Sequence, residues 1–252
     1  MTPVESPSFP AGDGVRLRVD TPDAASLLAA VEAHLEAGES FTVATLNLDH
    51  LVKLRRSPAF RRAYLGMSHV VADGNPIVWL ARLAGAPVSL APGSELVAPL
   101  CALAARIEVP IALYGAAPET LDAAAETLGA AYPGLRVAFR RAPPYGFDPD
   151  GAMADADAAA IAASGARLCL LALGAPKQEI FAARASRVAL GCGFVCVGAG
   201  VDFMVGAQRR APLWMRRLAL EWAWRMLSEP RRLARRYLDC ALLVPSLAAD
   251  AV

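Results

Sequence analysis

The chain has 252 residues, enough for one large domain or two small ones with a hydrophobic core. Hydrophobic residues make up 56% of it, many of them alanine, and the formal net charge is only +1. The five cysteines are scattered through apolar runs, and Cys192 and Cys196 are separated by three residues rather than two. This argues against a redox or zinc motif and predicts reduced core cysteines in a cytoplasmic protein.

Two segments raise the question of targeting or membrane insertion. Residues 1–13 are rich in Pro, Ser and Gly, without a basic start or an apolar segment, so we expect a disordered leader and not a signal peptide. Residues 188–207 are apolar enough to suggest a membrane span. Their five glycines and the central Asp202 favour a buried strand followed by a glycine-rich loop.

Strands and helices alternate from residue 14 onwards. Strands are expected at 14–20, 41–45, 69–72, 110–114, 135–140, 167–173 and 193–197, and helices at 24–37, 49–64, 76–84, 95–106, 119–131, 151–163 and 177–187. In the helix at 49–64 four arginines are expected to face solvent: Arg55, Arg56, Arg61 and Arg62. The alternation predicts an α/β core at 14–206 with a three-layer, mainly parallel, Rossmann-like sheet, followed by a helical Arg/Trp-rich appendage at 207–252.

Polar or glycine-rich turns follow several predicted strands, at the edge where parallel sheets bind ligands. They are Thr45/Asn47, Asp73/Gly74, Gly115, 174–179 and 198–202. Asp73 opens an Asp-Gly-Asn-Pro turn, which those turn-forming residues alone would explain. Alternatively, a carboxylate placed directly after an apolar strand is suited to act as a general base.

The turn at 174–179 joins a strand to a helix start and ends in Lys177, Gln178 and Glu179. Backbone N–H groups at a helix start, with Lys177 and Gln178 as further donors, suit an anion. An ordinary helix start remains the alternative. Nearby, residues 198–203 lack the last glycine of a dinucleotide-binding loop, because the sixth position is Phe203.

No metal or cofactor is predicted. The Asp-x-Asp pairs at 148–150 and 155–157 resemble the metal site of many sugar-nucleotide transferases, but neither follows a strand. A preference for acids at helix starts explains the second pair. The three histidines show no spacing typical of metal ligands.

Charge is concentrated near the end of the chain. Residues 209–236 contain nine arginines, no lysine and two glutamates, so this segment carries +7 and the remainder −6. Guanidinium groups bind phosphate through paired hydrogen bonds, and three tryptophans are interleaved with them. The segment therefore suggests diphosphate recognition at a membrane. The alternative is a solvated basic helix face with the tryptophans in the core.

Prolines mark two helix starts in this tail, at Pro212 and Pro230. The second helix carries two like-charge pairs at i, i+4: Arg231/Arg235 and Arg232/Arg236. Such pairs are unfavourable by a few tenths of a kcal/mol in isolation, so they fit a helix face that meets an anion.

A set of short motifs, in this order and spacing, resembles the TagA/WecG/CpsF glycosyltransferase family over residues 41–238. They are Thr45-Leu46-Asn47, Ala72-Asp73-Gly74, Gly93–Leu96, Tyr145-Gly146-Phe147, Leu173–Glu179, Val197–Phe203, Arg210-Ala211-Pro212 and the Arg-rich segments of 220–237. The resemblance implies an inverting, metal-independent hexosyltransferase without a cofactor. It would transfer N-acetylmannosamine or a related hexose from a UDP-sugar to an undecaprenyl-diphosphate-linked acceptor, for a surface polysaccharide or teichoic acid.

The resemblance also implies partners, location and residue roles. The enzyme would be peripheral on the cytoplasmic face of the membrane, would bind no nucleic acid, and could be a homo-oligomer. Asp73 would be the base. The expected substrate-binding residues are Thr45, Asn47, Gly74, Lys177, Gln178 and Glu179, with Arg225, Arg232 and Arg235 in a membrane-docking tail.

This chain departs from the family pattern just before residue 93. The family often has an arginine there, whereas this sequence reads Ser89-Leu90-Ala91-Pro92, and the acid that follows is Glu95. A different class of protein, a non-catalytic membrane or nucleic-acid adaptor, would explain the basic tail. It would leave Asp73 and the turn at 174–179 without a role.

Overall fold

The computed structural model describes residues 6–208, 211–212, 214–215 and 220–251, and only the backbone of Arg225, Arg232 and Ala251. The strands are β1 (Ser8–Gly12), β2 (Val15–Arg18), β3 (Phe41–Leu46), β4 (His69–Ala72), β5 (Ile111–Tyr114), β6 (Val137–Arg141), β7 (Leu168–Leu171) and β8 (Gly193–Cys196). The helices are α1 (Ala24–Ala37), α2 (Leu48–Arg56), α3 (Pro58–Leu65), α4 (Asn75–Leu83), α5 (Gly93–Arg106), α6 (Pro118–Ala131), α7 (Ala152–Ala163), α8 (Lys177–Ala185), α9 (Gly200–Met204), α10 (Glu221–Ser228) and α11 (Pro230–Ala251).

Six strands form one parallel sheet in the order β4-β3-β8-β7-β5-β6. Successive side chains of a strand point to opposite faces, so each central strand contributes to two cores. In β7, Leu168 and Leu170 pack with α1, α5, α6 and α9, whereas Cys169 and Leu171 pack with α2, α3, α4, α7 and α8. The predicted three-layer α/β fold is confirmed. All five cysteines are buried free thiols, as expected.

The N-terminus is ordered earlier than predicted. The disordered leader expected at 1–13 is wrong for Ser8–Gly12, which pairs antiparallel with β2 as a separate two-stranded sheet. Phe9 and Leu17 of this hairpin are buried in the core beside α2 and α3. The hairpin also covers Arg61, which is buried and ion-paired with Asp13, so its expected position facing solvent is wrong.

Two further segments form shorter helices and strands than the sequence predicts. The helix expected at 49–64 is two helices, because Ser57 ends α2 and caps α3, with Pro58 in its first turn. The apolar residues 188–207 contain β8 and the turn after it, as the strand-and-loop interpretation expects. The short helix α9 replaces part of the expected loop. Among the described residues, we find no helix with the length and hydropathy needed to span a bilayer.

The C-terminal helix α11 starts at Pro230, as predicted, and packs against α2 and α4. Cys240, Leu243 and Leu247 are buried in the same core as α2, α3 and α8. Arg209, Arg210, Arg216 and Arg217 of the basic segment lie outside the described residues. The last helix therefore shares a hydrophobic core with the sheet.

Removal of the cap of α1 tests how local sequence sets this fold. Asp23 accepts a hydrogen bond from the Ser26 N–H at 2.7 Å, which lowers the pKa of Asp23. We expect Asp23→Ala to lower the free energy of unfolding by about 1 kcal/mol at pH 7, measured by urea denaturation. Because the folded-state pKa is depressed, this contribution is present above the unfolded pKa of about 3.9 and is lost as the pH falls through the folded value.

Asp23→Asn is the matched control, because asparagine keeps the accepting oxygen without the charge. It should stay within a few tenths of a kcal/mol of the parent protein. Equal destabilisation by the Ala and Asn substitutions would contradict a capping role.

Candidate active site

One cavity of about 740 Å³ lies at the carboxyl ends of β3, β4, β7 and β8, which are neighbours in the sheet. Because these strands run parallel, the turns that follow them meet at one edge. The turn residues that line the cavity are Thr45 and Asn47 at the end of β3, Asp73 and Gly74 after β4, Ala172, Leu173, Gly174 and Ala175 after β7, and Val197, Gly198 and Ala199 after β8.

Asp73 is held at this edge by backbone and side-chain hydrogen bonds. Its N–H donates to the Leu46 carbonyl at 2.8 Å. The parallel hydrogen bonding between β3 and β4 therefore continues for one residue beyond the end of β4. Its Oδ2 accepts from Asn47 Nδ2 at 3.1 Å. Gly74 then has a φ of 95°, which residues with a side chain rarely adopt, and the chain turns there into α4.

A buried polar layer supports β3 and the start of α2. Asn47 caps α2 by accepting from the His50 N–H at 3.0 Å, so both ends of its amide are used and its orientation is fixed. Beneath it, the Tyr64 hydroxyl lies 2.7 Å from His50 Nδ1 and 3.2 Å from the Thr45 carbonyl oxygen. Burial lowers the pKa of His50 to about 3, so its imidazole is neutral at physiological pH.

The start of α8 presents one side chain to the cavity. Gln178 is 3% exposed and lines the wall, with its Oε1 accepting from the Gly198 N–H at 3.2 Å and its Nε2 donating to Glu179 Oε1 at 2.9 Å. Glu179 is completely buried and does not line the cavity, and burial raises its pKa to about 7. Lys177 is exposed and also lies outside the wall.

Two cations on different elements meet at Asp49. The Asp49 carboxylate lies 2.7 Å from Lys53 Nζ and 3.2 Å from Arg236 Nε, and all three residues line the cavity. Lys53 Nζ also donates to the Ala175 carbonyl at 3.1 Å. Asp49 Oδ2 and Arg236 Nε are buried and have no hydrogen-bond partner among the described residues, so those two contacts are ion pairs. Asp49 thus links α2 to the C-terminal helix at the cavity.

Aromatic side chains line the outer part of the cavity. Trp79 of α4 and Trp222 of α10 are both exposed and both line it, so they lie at its mouth. The ring of Trp222 packs edge-on against that of Tyr237, with centroids 6.0 Å apart. Leu90 and Glu95, the two departures from the family pattern, line the same cavity.

These features suit an anionic ligand with sugar groups. The helices α2, α4 and α5 begin at the cavity, where their N-termini carry partial positive charge. Lys53 and Arg236 add two full charges, of which Asp49 balances one. The other carboxylates of the lining are Asp73, Glu95, Asp202 and Glu221. In the part of the chain that the structure describes, no group of three His, Cys, Asp or Glu side chains is placed to hold a metal ion. A phosphate group in this cavity would meet helix starts, Lys53 and Arg236.

The fold by itself is compatible with many activities, so the family decides between them. The model of the glycosyl transferase WecG/TagA/CpsF family matches residues 13–251. The chain belongs to this family. WecG/TagA/CpsF proteins are glycosyltransferases of cell-surface polysaccharide and teichoic acid biosynthesis, and the cavity at the sheet edge is the candidate active site of this member.

The cavity unites only some of the residues expected from the WecG/TagA/CpsF resemblance. Those that line it are Thr45, Asn47, Asp73, Gly74 and Gln178. Of the others, Glu179 is buried, and Lys177 and Arg235 are exposed away from its wall. The side chains of Arg225 and Arg232 lie outside the described residues.

Among the cavity residues that sequence reasoning missed are Asp49, Lys53, Trp79 and Arg236. Asp49 and Lys53 are spaced i, i+4 on a helix, a pairing readable from sequence, but nothing in the sequence relates them to the tail. Arg236 was recognisable as one of nine tail arginines, yet the choice between it and Arg235 depends on how α11 is rotated against α2.

The link at Asp49 can be tested through stability. Asp49→Asn would leave Lys53 and Arg236 close together without a counter-charge, so we expect the free energy of unfolding to fall by about 2 kcal/mol in urea. The control is Asp239→Asn, which breaks the partly exposed ion pair with Arg56 between the same two helices. It should lower stability by less than about 1 kcal/mol, and equal effects would contradict the special position of Asp49.

Proposed function

We propose that this glycosyltransferase transfers N-acetylmannosamine or a related hexose from a UDP-sugar to a sugar linked to undecaprenyl diphosphate, with inversion at the anomeric carbon. The observation that carries the proposal is a single cavity that brings the Asp73 carboxylate together with Lys53 and Arg236. A reaction between a sugar hydroxyl and a sugar diphosphate requires both a base and positive charge, and the cavity offers both.

Asp73 acts as the general base in this proposal. Its carboxylate takes the proton of the acceptor hydroxyl while that oxygen bonds to the anomeric carbon and the bond from this carbon to the UDP oxygen breaks. UDP leaves with the electron pair, so inversion follows from direct displacement. The hydrogen bond from Asn47 fixes the carboxylate, and Thr45, Gly74 and Gln178 contact the substrates from the same wall.

The leaving diphosphate is neutralised by protein groups in this proposal. Lys53 and Arg236 pair with different oxygens of the Asp49 carboxylate at the cavity, Lys53 with Oδ2 and Arg236 with Oδ1. Charge that develops on UDP in the transition state is stabilised most by donors already in position. We therefore assign to Arg236 the phosphate-binding role that the resemblance gave to its exposed neighbour Arg235.

The acceptor would enter from a membrane surface at the mouth of the cavity. Helices α4 and α11 contact each other, and their large apolar side chains Trp79, Leu83, Leu238 and Leu242 are exposed. Basic residues near an anionic leaflet add about 1 kcal/mol each to membrane attraction, and Arg231 and Arg235 of α11 are exposed. We propose peripheral attachment to the inner face of the plasma membrane.

Asp73→Asn tests the chemistry. We expect kcat for UDP release to fall by roughly 10²–10⁴-fold, because asparagine is isosteric but cannot accept the proton. The substrates are UDP-N-acetylmannosamine and lipid-diphosphate-linked N-acetylglucosamine, and UDP affinity is measured separately by calorimetry. Affinity should change little, since the base acts on the acceptor.

The control Asp122→Asn removes an exposed carboxylate that is paired with Arg140 and does not line the cavity. It should retain full turnover. Normal kcat in Asp73→Asn would reject the assignment of the base. Wild-type protein that binds anionic vesicles but turns over none of a panel of UDP-sugars would favour the adaptor hypothesis.

Membrane attachment is tested with the double variant Leu238→Ser/Leu242→Ser. If these side chains enter the bilayer surface, binding to phosphatidylglycerol vesicles in a sedimentation assay should weaken roughly tenfold or more. Leu190→Ser is the control, since Leu190 is 80% exposed in the turn before β8, at the opposite edge of the sheet. Unchanged binding by the double variant would exclude α11 as the contact.

A further inference from the structure

The side-chain amide of Gln178 is fixed from two sides. On one side the Gly198 N–H donates to its Oε1 at 3.2 Å, and on the other its Nε2 donates to Glu179 Oε1 at 2.9 Å. If the amide were turned over, Nε2 would face the N–H of Gly198 and Oε1 would face the Glu179 carboxyl group. The contact of Nε2 with the Gly198 N–H would be repulsive whatever the protonation state of Glu179, so the observed orientation is the stable one.

This orientation determines what Gln178 offers to a ligand. One of its two N–H groups is used by Glu179, and within the described chain the second has no hydrogen-bond partner. Gln178 lines the cavity, whereas Glu179 is fully buried and cannot contact a substrate. The cavity wall at α8 thus contains an amide with one N–H unused within the described chain, and a residue behind the wall sets the orientation of that amide.

The site of Glu179 is costly to maintain, which argues for a role beyond packing. Its Oε2 is buried and has no hydrogen-bond partner among the described residues. Burial raises its pKa to about 7, with Lys53 as the cation that opposes this shift and Asp49 as the acid that adds to it. Tyr64 and Cys196 face it from α3 and β8. An apolar residue of similar size would fill this position without leaving a carboxylate oxygen unpaired.

We propose that Glu179 is a positioning residue that fixes the Gln178 amide, so that the second Gln178 N–H binds an oxygen of the sugar-diphosphate donor. The inference rests on the proposed function, since it concerns how the same cavity holds its donor. It changes the role of Glu179 from the expected substrate contact to a residue that acts through its neighbour.

A double-mutant cycle tests this role, with kcat and KM for UDP-N-acetylmannosamine as the readout. Gln178→Met removes the donor, and Glu179→Met removes the acceptor that orients it, at similar volume. Each should lower kcat/KM about tenfold, the effect of one lost hydrogen bond to a polar substrate group. The double variant should be no worse than either single variant, because Glu179 acts only through Gln178.

Two further variants at Glu179 separate positioning from packing. Glu179→Gln keeps an accepting oxygen at the same reach and should stay within about threefold of wild-type kcat/KM. Glu179→Asp keeps the acid but withdraws it by one methylene group, so it should lose about as much as Glu179→Met. It also provides the test if the methionine variant fails to fold.

The outcomes are distinct. Additive losses in the double variant, a full loss in Glu179→Gln, or normal kcat/KM in Gln178→Met would each overturn the inference. A wild-type protein that transfers no sugar from any UDP-sugar would instead overturn the proposed function. Wild-type turnover that is lost in Asp73→Asn but unchanged in Gln178→Met would leave the proposed function intact and reject only the role of the Gln178–Glu179 pair.

Discussion

The parallel alignment of β4, β3, β8 and β7 is the constraint on which the site depends. Each of these strands is only four to six residues long, and each ends at the same edge. Residues far apart in sequence, such as Asp73 and Gln178, therefore line one cavity. A base, an amide donor and several helix N-termini meet there because the strands run in the same direction.

Helix α11 completes the cavity. Both apolar burial and ion pairs attach this helix to the rest of the protein. Leu243 and Leu247 are buried in the core beside α2. Ion pairs from Asp49 to Arg236, and from Arg56 to Asp239, fix its position along α2. Because Asp49 also pairs with Lys53, the same carboxylate sets both the placement of the helix and the spacing of two cations at the cavity.

Side-chain amides provide the finer geometry. Asn47 caps α2 and donates to Asp73, and Gln178 accepts from the backbone after β8 and donates to Glu179. In both cases two fixed partners define which end of the amide is nitrogen. These hydrogen bonds fix the side chains of Asn47 and Gln178. The sheet edge there consists of turns, and the backbone alone would set only the general direction of each side chain.

Sequence by itself determined the α/β alternation, the strand-end positions of Thr45, Asp73 and Gln178, and the family, because periodicity, turn residues and motifs are local. It did not reveal the β1–β2 hairpin, whose prolines and glycines conceal a short strand, or the burial of Arg61 under it. Nor could it choose Arg236 over Arg235 or place Glu179 behind Gln178. Those choices depend on how helices rotate and pack against the sheet, and only the contacts of the folded chain decide them.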